Sequence, residues 1–384
     1  MRRKILYSFL IFIIIFIFTG CSNKSKDNFF KDPISKKDIR FNKILLDTAY
    51  LDKIEASYVG ISNIANSKIC FIDEMSGRIY FFDQEGAFIH HQLGRGKGPY
   101  EFPGGEMLCY CSIGNSHIFI DGSYSYYIFN EKWERSKTEY IDWQIEHSKN
   151  EMLKNPSPEM HGLYSPFYYK FILRGKGDYV YFPVKSQHPT FNFVHSSSYY
   201  KNARIIAKLN IQSGKVEELL GRYSPVYQNY KYIGQFSLIN FDLAGNGDFY
   251  VSFEADSLIY HYDKNYNIKH VFGNRGVNMD LNYKEIASMV KFKSNYLDER
   301  ESRGYYTWLE YIDKEKLLFR NYKKGNHSQN NGLQIFNNRG TMLADIDIPQ
   351  DFMKVIGYIK PYFYSNIVVD EKFESMKIYR FKID

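Results

Sequence analysis

Short runs of alternating hydrophobic and polar residues, separated by turn-forming residues, follow one another along most of this 384-residue chain. One unit starts with the apolar run 79–82, turns at Asp83 and Gly86, and continues as a second run, 87–93. The period of two and the intervening Asp and Gly predict a β-hairpin, because these residues adopt turn conformations that bulky residues resist. Aromatic residues make up 18% of the chain, which also favours strands. The pattern therefore indicates an all-β protein.

The same hairpin unit recurs along the chain. Further copies lie at 207–220 and 259–273, weaker copies at 127–130 and 333–340, and a partial copy at 377–381. Each copy follows another strand-like segment, and examples are 68–73, 117–121, 179–182, 248–252 and 366–370. Six copies of roughly 45 to 80 residues each suit four-stranded antiparallel blades, so the sequence predicts a six-bladed β-propeller.

Such a ring needs a way to close, because the sixth copy ends with the chain and has no outer strand of its own. An uncovered strand edge pairs readily with another strand. Residues 39–46 alternate and are partly apolar. We therefore expect them to pair with 377–383, so that strands from both ends of the chain close the ring.

Two segments exceed what four-stranded blades require. Residues 146–176 contain three prolines and are predicted to form a long loop. Residues 281–296 carry apolar side chains at helical spacing and predict one amphipathic helix, inserted between blades four and five. Its predicted apolar face comprises Tyr283, Ile286, Ala287, Val290 and Phe292.

The start of the chain has the features of a cleavable signal peptide. A basic head precedes the apolar run 5–18, and Thr19 and Gly20 stand directly before Cys21. The run is shorter than the roughly 20 residues that a membrane-spanning helix requires. Residues 18–21 resemble the lipobox of bacterial lipoproteins, in which the leader is cut before the cysteine and the cysteine is acylated. The alternative is an uncleaved N-terminal anchor.

These features divide the chain into three parts and place it outside the cytoplasm. We expect 1–20 to be the lipoprotein signal peptide, 21–38 a polar, flexible tether, and 39–384 the propeller. Acylated Cys21 would then attach the protein to a membrane of the cell envelope, which we expect to be the outer membrane.

The charge pattern gives no sign that nucleic acid is a partner. The formal net charge of +7 includes Arg2, Arg3 and Lys4 of the leader, and the other Lys and Arg residues form no long basic run. A nucleic-acid footprint would require clustered basic residues. Export from the cytoplasm argues in the same direction.

The body contains three cysteines besides Cys21, namely Cys70, Cys109 and Cys111. An odd number does not define a disulfide framework. A disulfide from Cys70 to one of the others and a zinc site both remain open. We favour three buried thiols that pack as small apolar groups.

Two longer motifs mark junctions between units. Residues 93–102 read Leu-Gly-Arg-Gly-Lys-Gly-Pro-Tyr-Glu-Phe, and residues 242–251 read Asp-Leu-Ala-Gly-Asn-Gly-Asp-Phe-Tyr-Val. The first resembles the G-R-x-G-x-G-P-x-E-[FY] signature of six-bladed β-propeller lipoproteins from Bacteroidetes, whose fold is NHL-like and TolB-like. The second is similar to the D-x-x-G-N-x-Y-V start of NHL blades, with Gly247 and Asp248 inserted. The resemblance covers the body of the chain and implies a fold and a location, but no activity.

A basic rim is the candidate binding surface. Three outer strands end in glycine followed closely by arginine and then cross to the next blade, and such crossings share one face of a propeller. The residues expected on this rim are Arg95, Lys97, Tyr100, Arg222 and Arg275. Cations beside an aromatic ring suit an anionic or sugar-like ligand or an acidic envelope protein, with no cofactor required. The alternative is that these are solvated turn charges.

The enzymatic alternative is a calcium-dependent hydrolase of the lactonase type, with its metal in the central channel. Oxygen ligands for that metal could come from Asp73, Asp121, Asn240, Asp242, Glu254 and Asp370. Acidic and amide residues are, however, the usual turn formers of a repeat protein. We therefore favour a non-catalytic binding scaffold over this enzyme.

Overall fold

Six small antiparallel sheets form the blades of a ring in the computed structural model, which describes residues 29–34, 36–167, 171–194, 197–230, 232–286, 289–326 and 328–383. The first two strands along the chain are β1 (Lys36–Lys37) and β2 (Asp47–Leu51). Blade 1 contains β3 (Gly60–Ala65), β4 (Lys68–Asp73), β5 (Arg78–Phe82) and β6 (Phe88–Leu93). Blade 2 contains β7 (Met107–Ile113), β8 (Ser116–Asp121), β9 (Ser125–Phe129) and β10 (Arg135–Tyr140).

The third blade has a divided inner edge. Blade 3 contains β11 (Tyr164–Pro166), β12 (Arg174–Lys176), β13 (Tyr179–Ser186), β14 (Ile206–Asn210) and β15 (Val216–Leu220), and both β11 and β12 pair with β13. Blade 4 contains β16 (Ile239–Leu243), β17 (Phe249–Phe253), β18 (Ile259–Tyr262) and β19 (Ile268–Phe272). The six-bladed architecture and the predicted repeats are thereby confirmed.

The last two blades use strands from the start of the chain. Blade 5 contains β20 (Tyr305–Ile312), β21 (Leu317–Lys323), β22 (Asn330–Asn337) and β23 (Thr341–Pro349), with β1 added in parallel on its outside. Blade 6 contains β24 (Val355–Ile359), β25 (Tyr362–Asp370), β26 (Ser375–Phe381) and β2. The ring is therefore closed by strands from both ends of the chain.

The core lies between neighbouring blades, which explains the high aromatic content. All residues of β17 are buried, because blade 4 is covered on both sides. Phe249 of this strand meets the ring of Tyr181 in blade 3 edge-on, at 5.1 Å between centroids. Aromatic side chains fill such inter-blade space with few atoms and favourable geometry.

The closing strand differs from the predicted one. Residues 39–46 form no strand, and β2 pairs antiparallel with β26, from Asp47 opposite Arg380 to Leu51 opposite Met376. The alternation in 39–46 has another cause, because Phe41, Ile44 and Leu46 pack against the core between blades 5 and 6, whereas Leu45 is exposed. The prediction was therefore correct about the closure and wrong about the segment.

An N-terminal strap, defined here as residues 29–34 and 36–46, runs along the outside of the ring. Phe30 meets the ring of Tyr260 in blade 4 edge-on at 5.4 Å, and the Ile34 N–H donates to the carbonyl of Val271. β1 then adds to blade 5. Residues 29–34 and 36–38, which fall in the part of the sequence assigned to a tether, thus contact blades in the structure.

Three helices occur among the described residues: α1 (Lys149–Lys154), α2 (Ser197–Asn202) and α3 (Met289–Ser302). The predicted helix at 281–296 is displaced, because 281–286 is not helical and α3 continues to Ser302. Val290 was assigned to the apolar face but is 79% exposed. Ala287 lies outside the described residues. The predicted long loop at 146–176 contains α1, β11 and β12 and so supplies the inner edge of blade 3.

The reason for the displaced helix lies in the residues before it. Tyr283 and Ile286 are buried from a non-helical segment, in which the Tyr283 hydroxyl donates to the Gly304 carbonyl and the Ile286 N–H donates to the Tyr232 carbonyl. Tertiary contacts therefore determine this segment, and its apolar spacing does not report a helix.

The two faces of the ring carry different connections. We call the crossover face the one on which the chain passes from one blade to the next, and the turn face the one on which the first and second strands of each blade are joined. Turns of two residues occur on the turn face at 66–67, 114–115 and 360–361. The crossover face carries the long connections 221–238 and 273–304. Within the described part of the chain, no helix has the length and apolar character needed to cross a membrane.

Candidate ligand-binding site in the central channel

A cavity of about 430 Å³ occupies the centre of the ring, where all six blades meet. Each blade contributes to its wall, and representative lining residues are Asn63, Cys109, Arg174, Asn240, Trp308 and Lys354. The innermost strands position these side chains because every second residue of a strand points in one direction. A central cavity shared by all repeats is the usual place for a ligand site in such a protein.

A buried ion cluster lies on the wall of this channel. The Nε atom of Arg174 is 2.9 Å from a carboxylate oxygen of Asp242, and its Nη2 is 2.6 Å from Oε2 of Glu310. The N–H groups of Leu243 and Tyr311 also donate to Asp242. One guanidinium thus joins the innermost strands of blades 3, 4 and 5.

Confinement in the channel shifts the protonation equilibria of this cluster. Burial, reinforced by the Glu310 carboxylate, raises the pKa of Asp242 above its ordinary value, although Arg174 and two backbone N–H groups act against this shift. Burial opposes the charge on Arg174, but the carboxylates of Asp242 and Glu310 outweigh it and raise the arginine pKa above its ordinary value. The arginine therefore stays charged, and Asp242 is more easily protonated than a solvent-exposed aspartate.

Trp308 connects this cluster to a second cation. Its ring centroid lies 5.4 Å from the guanidinium carbon of Arg174 and 4.3 Å from Nζ of Lys354. Its indole N–H donates to Glu310 at 3.1 Å, which fixes the orientation of the half-buried ring. Cations near an indole face are stabilised by the π electrons. The channel therefore contains an aromatic surface beside a lysine.

Three residues of the predicted basic rim lie in the connection between blades 1 and 2. The Arg95 guanidinium donates to the carbonyls of Glu74, Met75, Gly104 and Gly105, so it ties this connection to blade 1. The side chains of Lys97 and Tyr100 are exposed.

Close contact with the Glu101 side chain explains why glycine stands at position 96 of this connection. A Cβ on Gly96 would lie 1.9 Å from an oxygen of the Glu101 carboxylate, and that carboxylate accepts the N–H of Gly98. The motif that resembled a lipoprotein signature therefore forms a loop around Glu101, which Arg135 of blade 2 also holds by hydrogen bonds to its carbonyls.

The other two rim residues lie in different connections. Arg222, between blades 3 and 4, has its guanidinium carbon 4.2 Å from the ring centroid of Phe29 in the strap. Arg275, between blades 4 and 5, donates to the Met279 carbonyl. Each of the three arginines thus has a contact within its own chain, and a common binding role for them stays a prediction.

The six oxygen-bearing residues considered for calcium are dispersed. Asp73, Asp121 and Asp370 end second strands and accept hydrogen bonds from turn residues. Glu254 pairs with Arg300 at 2.7 Å. Asn240 and Asp242 lie on β16, an innermost strand. Among the residues that the structure describes, no three His, Cys, Asp or Glu side chains form a group that could hold a metal ion.

The three cysteines of the body are buried and in no disulfide. Burial raises the pKa of Cys111 to about 12 and that of Cys70 to about 12, and it raises that of Cys109 well above its ordinary range. Their thiols are therefore protonated and pack as small apolar groups, as favoured from the sequence. Cys21 lies outside the described residues.

Sequence reasoning missed the residues that form the channel cluster. Arg174 stands in a segment that was predicted to be a loop, and Lys354 precedes a strand without any local motif. Trp308 and Glu310 could have been noticed, because they occupy alternate positions of one strand and so share a side. The strand itself belongs to a degenerate repeat and was not identified.

Comparisons with known proteins support the fold alone. No protein-family model matches the chain, and no curated protein matches it. The crystal structure of a DUF4221-family member from Bacteroides vulgatus is similar with a TM-score of 0.65 and 12% sequence identity, over 89% of this chain and 99% of that one. A Bacteroides fragilis protein thought to be exported gives a TM-score of 0.49 and 13% identity, over 92% of this chain and 100% of that one.

Proposed function

We propose that this protein is a lipid-anchored, extracytoplasmic β-propeller that acts as a non-catalytic binding scaffold of the cell envelope, with its ligand site in the central channel. The leader and Cys21 support the anchor and the location. The two motifs that resemble NHL-like and TolB-like lipoproteins of Bacteroidetes point in the same direction.

The observation that carries the binding role is the arrangement around Trp308. An indole ring, the Lys354 ammonium group and a cavity of about 430 Å³ are found together where six blades converge. The ring offers a flat apolar surface, and the lysine offers a positive charge to an anionic group. We infer that the ligand is an organic anion with a planar or sugar-like body.

The calcium-dependent hydrolase has less support from the geometry. Of the six candidate oxygen residues, Asp242 is the carboxylate on an innermost strand, and Arg174 already neutralises it at 2.9 Å. A metal ion there would have to displace a buried guanidinium, which is costly. Metal analysis of the purified protein, together with a lactonase assay, checks this alternative directly.

The binding role can be tested with a defined probe. Anilinonaphthalene sulfonate carries one anionic group on planar rings, and its fluorescence rises when it enters an apolar site. We expect saturable binding to the wild type. Replacing Trp308→Ala or Lys354→Gln should weaken it about tenfold, because each removes one of the two features that the probe uses.

Lys360→Gln is the matched control, because Lys360 is an exposed lysine of a turn-face connection. This variant should bind the probe like the wild type. Circular dichroism of all three variants verifies that the propeller is intact. Equal binding by folded Trp308→Ala, Lys354→Gln and wild-type protein would mean that the channel is not the site.

A further inference from the structure

The point at which the strap meets the ring defines where the N-terminal tether leaves the propeller. The Phe29 ring lies 4.2 Å from the guanidinium carbon of Arg222 and 5.7 Å from that of Arg204. Arg204 precedes β14 and Arg222 follows β15, so both belong to blade 3. Phe30 contacts Tyr260 of blade 4. The chain therefore joins the outer rim where blades 3 and 4 adjoin.

The distance from this point to the expected lipid anchor is limited by covalent geometry. Cys21 and Phe29 are eight residue-to-residue steps apart, and at up to 3.6 Å per step this distance is at most about 29 Å. A folded domain of this size is roughly 50 Å across. In a ring of six, the junction of blades 6 and 1 is opposite that of blades 3 and 4. An anchor at Cys21 therefore keeps the junction of blades 3 and 4 within about 29 Å of the membrane surface, whereas the opposite junction can lie farther away.

On the same side of the ring, the outward side of helix α3 exposes two apolar side chains among polar ones, and we call this side of the helix the stripe. Val290 is 79% exposed and Leu297 is 70% exposed, two turns apart on one side of the helix, with the exposed Lys293 between them. The opposite side of the helix faces the protein, where Phe292 is buried against Phe193 of the blade 3 insertion. The stripe is therefore an outward surface of the region above blades 3 and 4.

The helix is held rigidly in this position. Arg300 Nη2 is 2.7 Å from a carboxylate oxygen of Glu254 in blade 4, and its guanidinium carbon lies 4.0 Å from the Tyr305 ring centroid. Glu254 is 2% exposed. A buried ion pair of this kind fixes orientation, because either charge alone would be strongly disfavoured. The outward side of α3 is thus attached to blade 4 through this contact.

We propose that this stripe of α3 lies against the headgroup region of the membrane to which Cys21 attaches the protein. The inference rests on the proposed lipid anchor and adds an orientation to it. Apolar side chains beside a lysine suit the membrane interface, where the apolar groups enter and the ammonium group meets lipid phosphates. Two exposed apolar side chains bind a membrane weakly on their own. A tether of eight residues raises their effective concentration at the bilayer, so contact becomes favourable once the anchor is in place.

The test compares two exposed apolar residues of similar exposure on opposite sides of the ring. Leu297→Cys and Phe373→Cys each receive a fluorescent label in the full-length acylated protein, and Phe373, in blade 6, is 69% exposed. The native cysteines of the body are buried and do not compete for the label. The proteins are reconstituted into vesicles of phosphatidylcholine and phosphatidylglycerol that contain a headgroup spin label. We expect several-fold stronger quenching at position 297 than at position 373.

The result separates orientation from anchoring. Wild-type protein and the Cys21→Ala variant are each floated with the vesicles, and flotation of the wild type alone shows that the acyl anchor exists. A wild-type protein that does not float would contradict the proposed anchor itself. If the protein floats but both labels are quenched equally, the orientation is wrong and the anchor stands. A label at 297 that is unquenched in vesicles but becomes shielded in native envelopes would assign the stripe to a protein partner and overturn the lipid contact.

Discussion

The two faces of the ring are built by different physical means. On the turn face, short connections are stabilised by their own residues, as where the Asp263 carboxylate accepts the N–H groups of Asn265 and Asn267. On the crossover face, the connection 273–304 is held by a contact between residues far apart in sequence, Arg300 and Glu254. Local turns can be specified by a few residues, whereas long connections depend on tertiary contacts. The crossover face is therefore the one on which insertions such as α3 are supported and new surfaces arise.

The largest effect is expected where the crossover face depends on one buried pair. Replacing Arg300→Ala leaves the Glu254 carboxylate, which is 2% exposed, without its cation. Removing one partner of a buried ion pair typically costs about 3 to 5 kcal/mol of stability. Denaturation by urea, monitored by circular dichroism, should show a loss in this range.

Lys293→Ala is the control on the same helix, because Lys293 is exposed and its removal should change stability by less than about 0.5 kcal/mol. If Arg300→Ala unfolds like Lys293→Ala, α3 is only loosely attached and the contrast between the faces fails. Loss of α3 alone, without loss of the sheets, would still show that the connection depends on this pair.

A buried histidine on the turn face should make the stability of the protein decrease at acid pH. His117 is stacked on Trp133 with ring centroids 3.7 Å apart, and its Nδ1 is 2.9 Å from the Tyr110 hydroxyl oxygen. Burial lowers the pKa of His117 to about 4. As the pH falls below the ordinary histidine pKa of about 6.5, the unfolded chain gains a proton that the folded chain does not, so stability decreases until about pH 4.

A pKa shift of this size corresponds to a loss of roughly 3 kcal/mol in the free energy of unfolding. We expect a loss of roughly 2 kcal/mol, because the turn is partly solvated. Urea unfolding at intervals from pH 7 to about 4 measures how steeply the free energy of unfolding changes with pH, and we call this the slope. His117→Gln should remove this part of the slope, whereas His270→Gln, at an exposed position, should keep it. An unchanged slope in His117→Gln would assign the acid sensitivity to other groups.

Arg95 distinguishes a structural role on the crossover face from a binding role. Arg95→Ala removes hydrogen bonds to the carbonyls of Glu74 and Met75, among others, and should destabilise the protein by about 1.5 kcal/mol. Lys97→Ala, two residues further on, should have almost no effect because that side chain is exposed. Thermal unfolding of the two variants compares them directly. A fully stable Arg95→Ala protein would return this arginine to the candidates for ligand binding.

The sequence predicted best what short segments determine. The hairpins and the six blades follow from Asn, Asp and Gly placed between alternating runs, and these residues act within a few positions of themselves. Closure of the ring could also be predicted, because an open edge must be covered. The sequence could not predict that β2, and not residues 39–46, forms the closing strand. Both segments contain apolar residues that pack against blade 6 or its neighbour.

The candidate site was beyond sequence reasoning for a related reason. Arg174, Asp242 and Glu310 are separated by about seventy residues each along the chain and meet only when three blades are assembled. The start of α3 was misplaced because Tyr283 and Ile286 are buried by contacts with other connections of the crossover face. Two errors of prediction therefore lie on that face and in the channel, whereas the misassigned closing strand lies at the outer edge of blade 6.

The smallest effect is expected from a single turn on the turn face. Burial opposes ionisation of Asp263, but the backbone N–H and side-chain amide of Asn267 and the N–H of Asn265 together outweigh it and hold its pKa below the ordinary value. The ionised carboxylate therefore stabilises the turn above the pKa of the unfolded chain, and this contribution is lost as the pH falls through the lower folded pKa. Asp263→Ala should cost about 1 kcal/mol at neutral pH, comparable to loss of a helix cap, because both backbone donors can turn to water. Urea unfolding at pH 7 and at pH 3 checks both statements, since the difference in stability between Asp263→Ala and the wild type should shrink at the lower pH.

The Lys264→Ala variant, at the neighbouring exposed position, serves as the control and should change stability little at either pH. A cost as large as that of Arg300→Ala would show that this turn also depends on distant contacts, and the distinction between the two faces would then have to be given up.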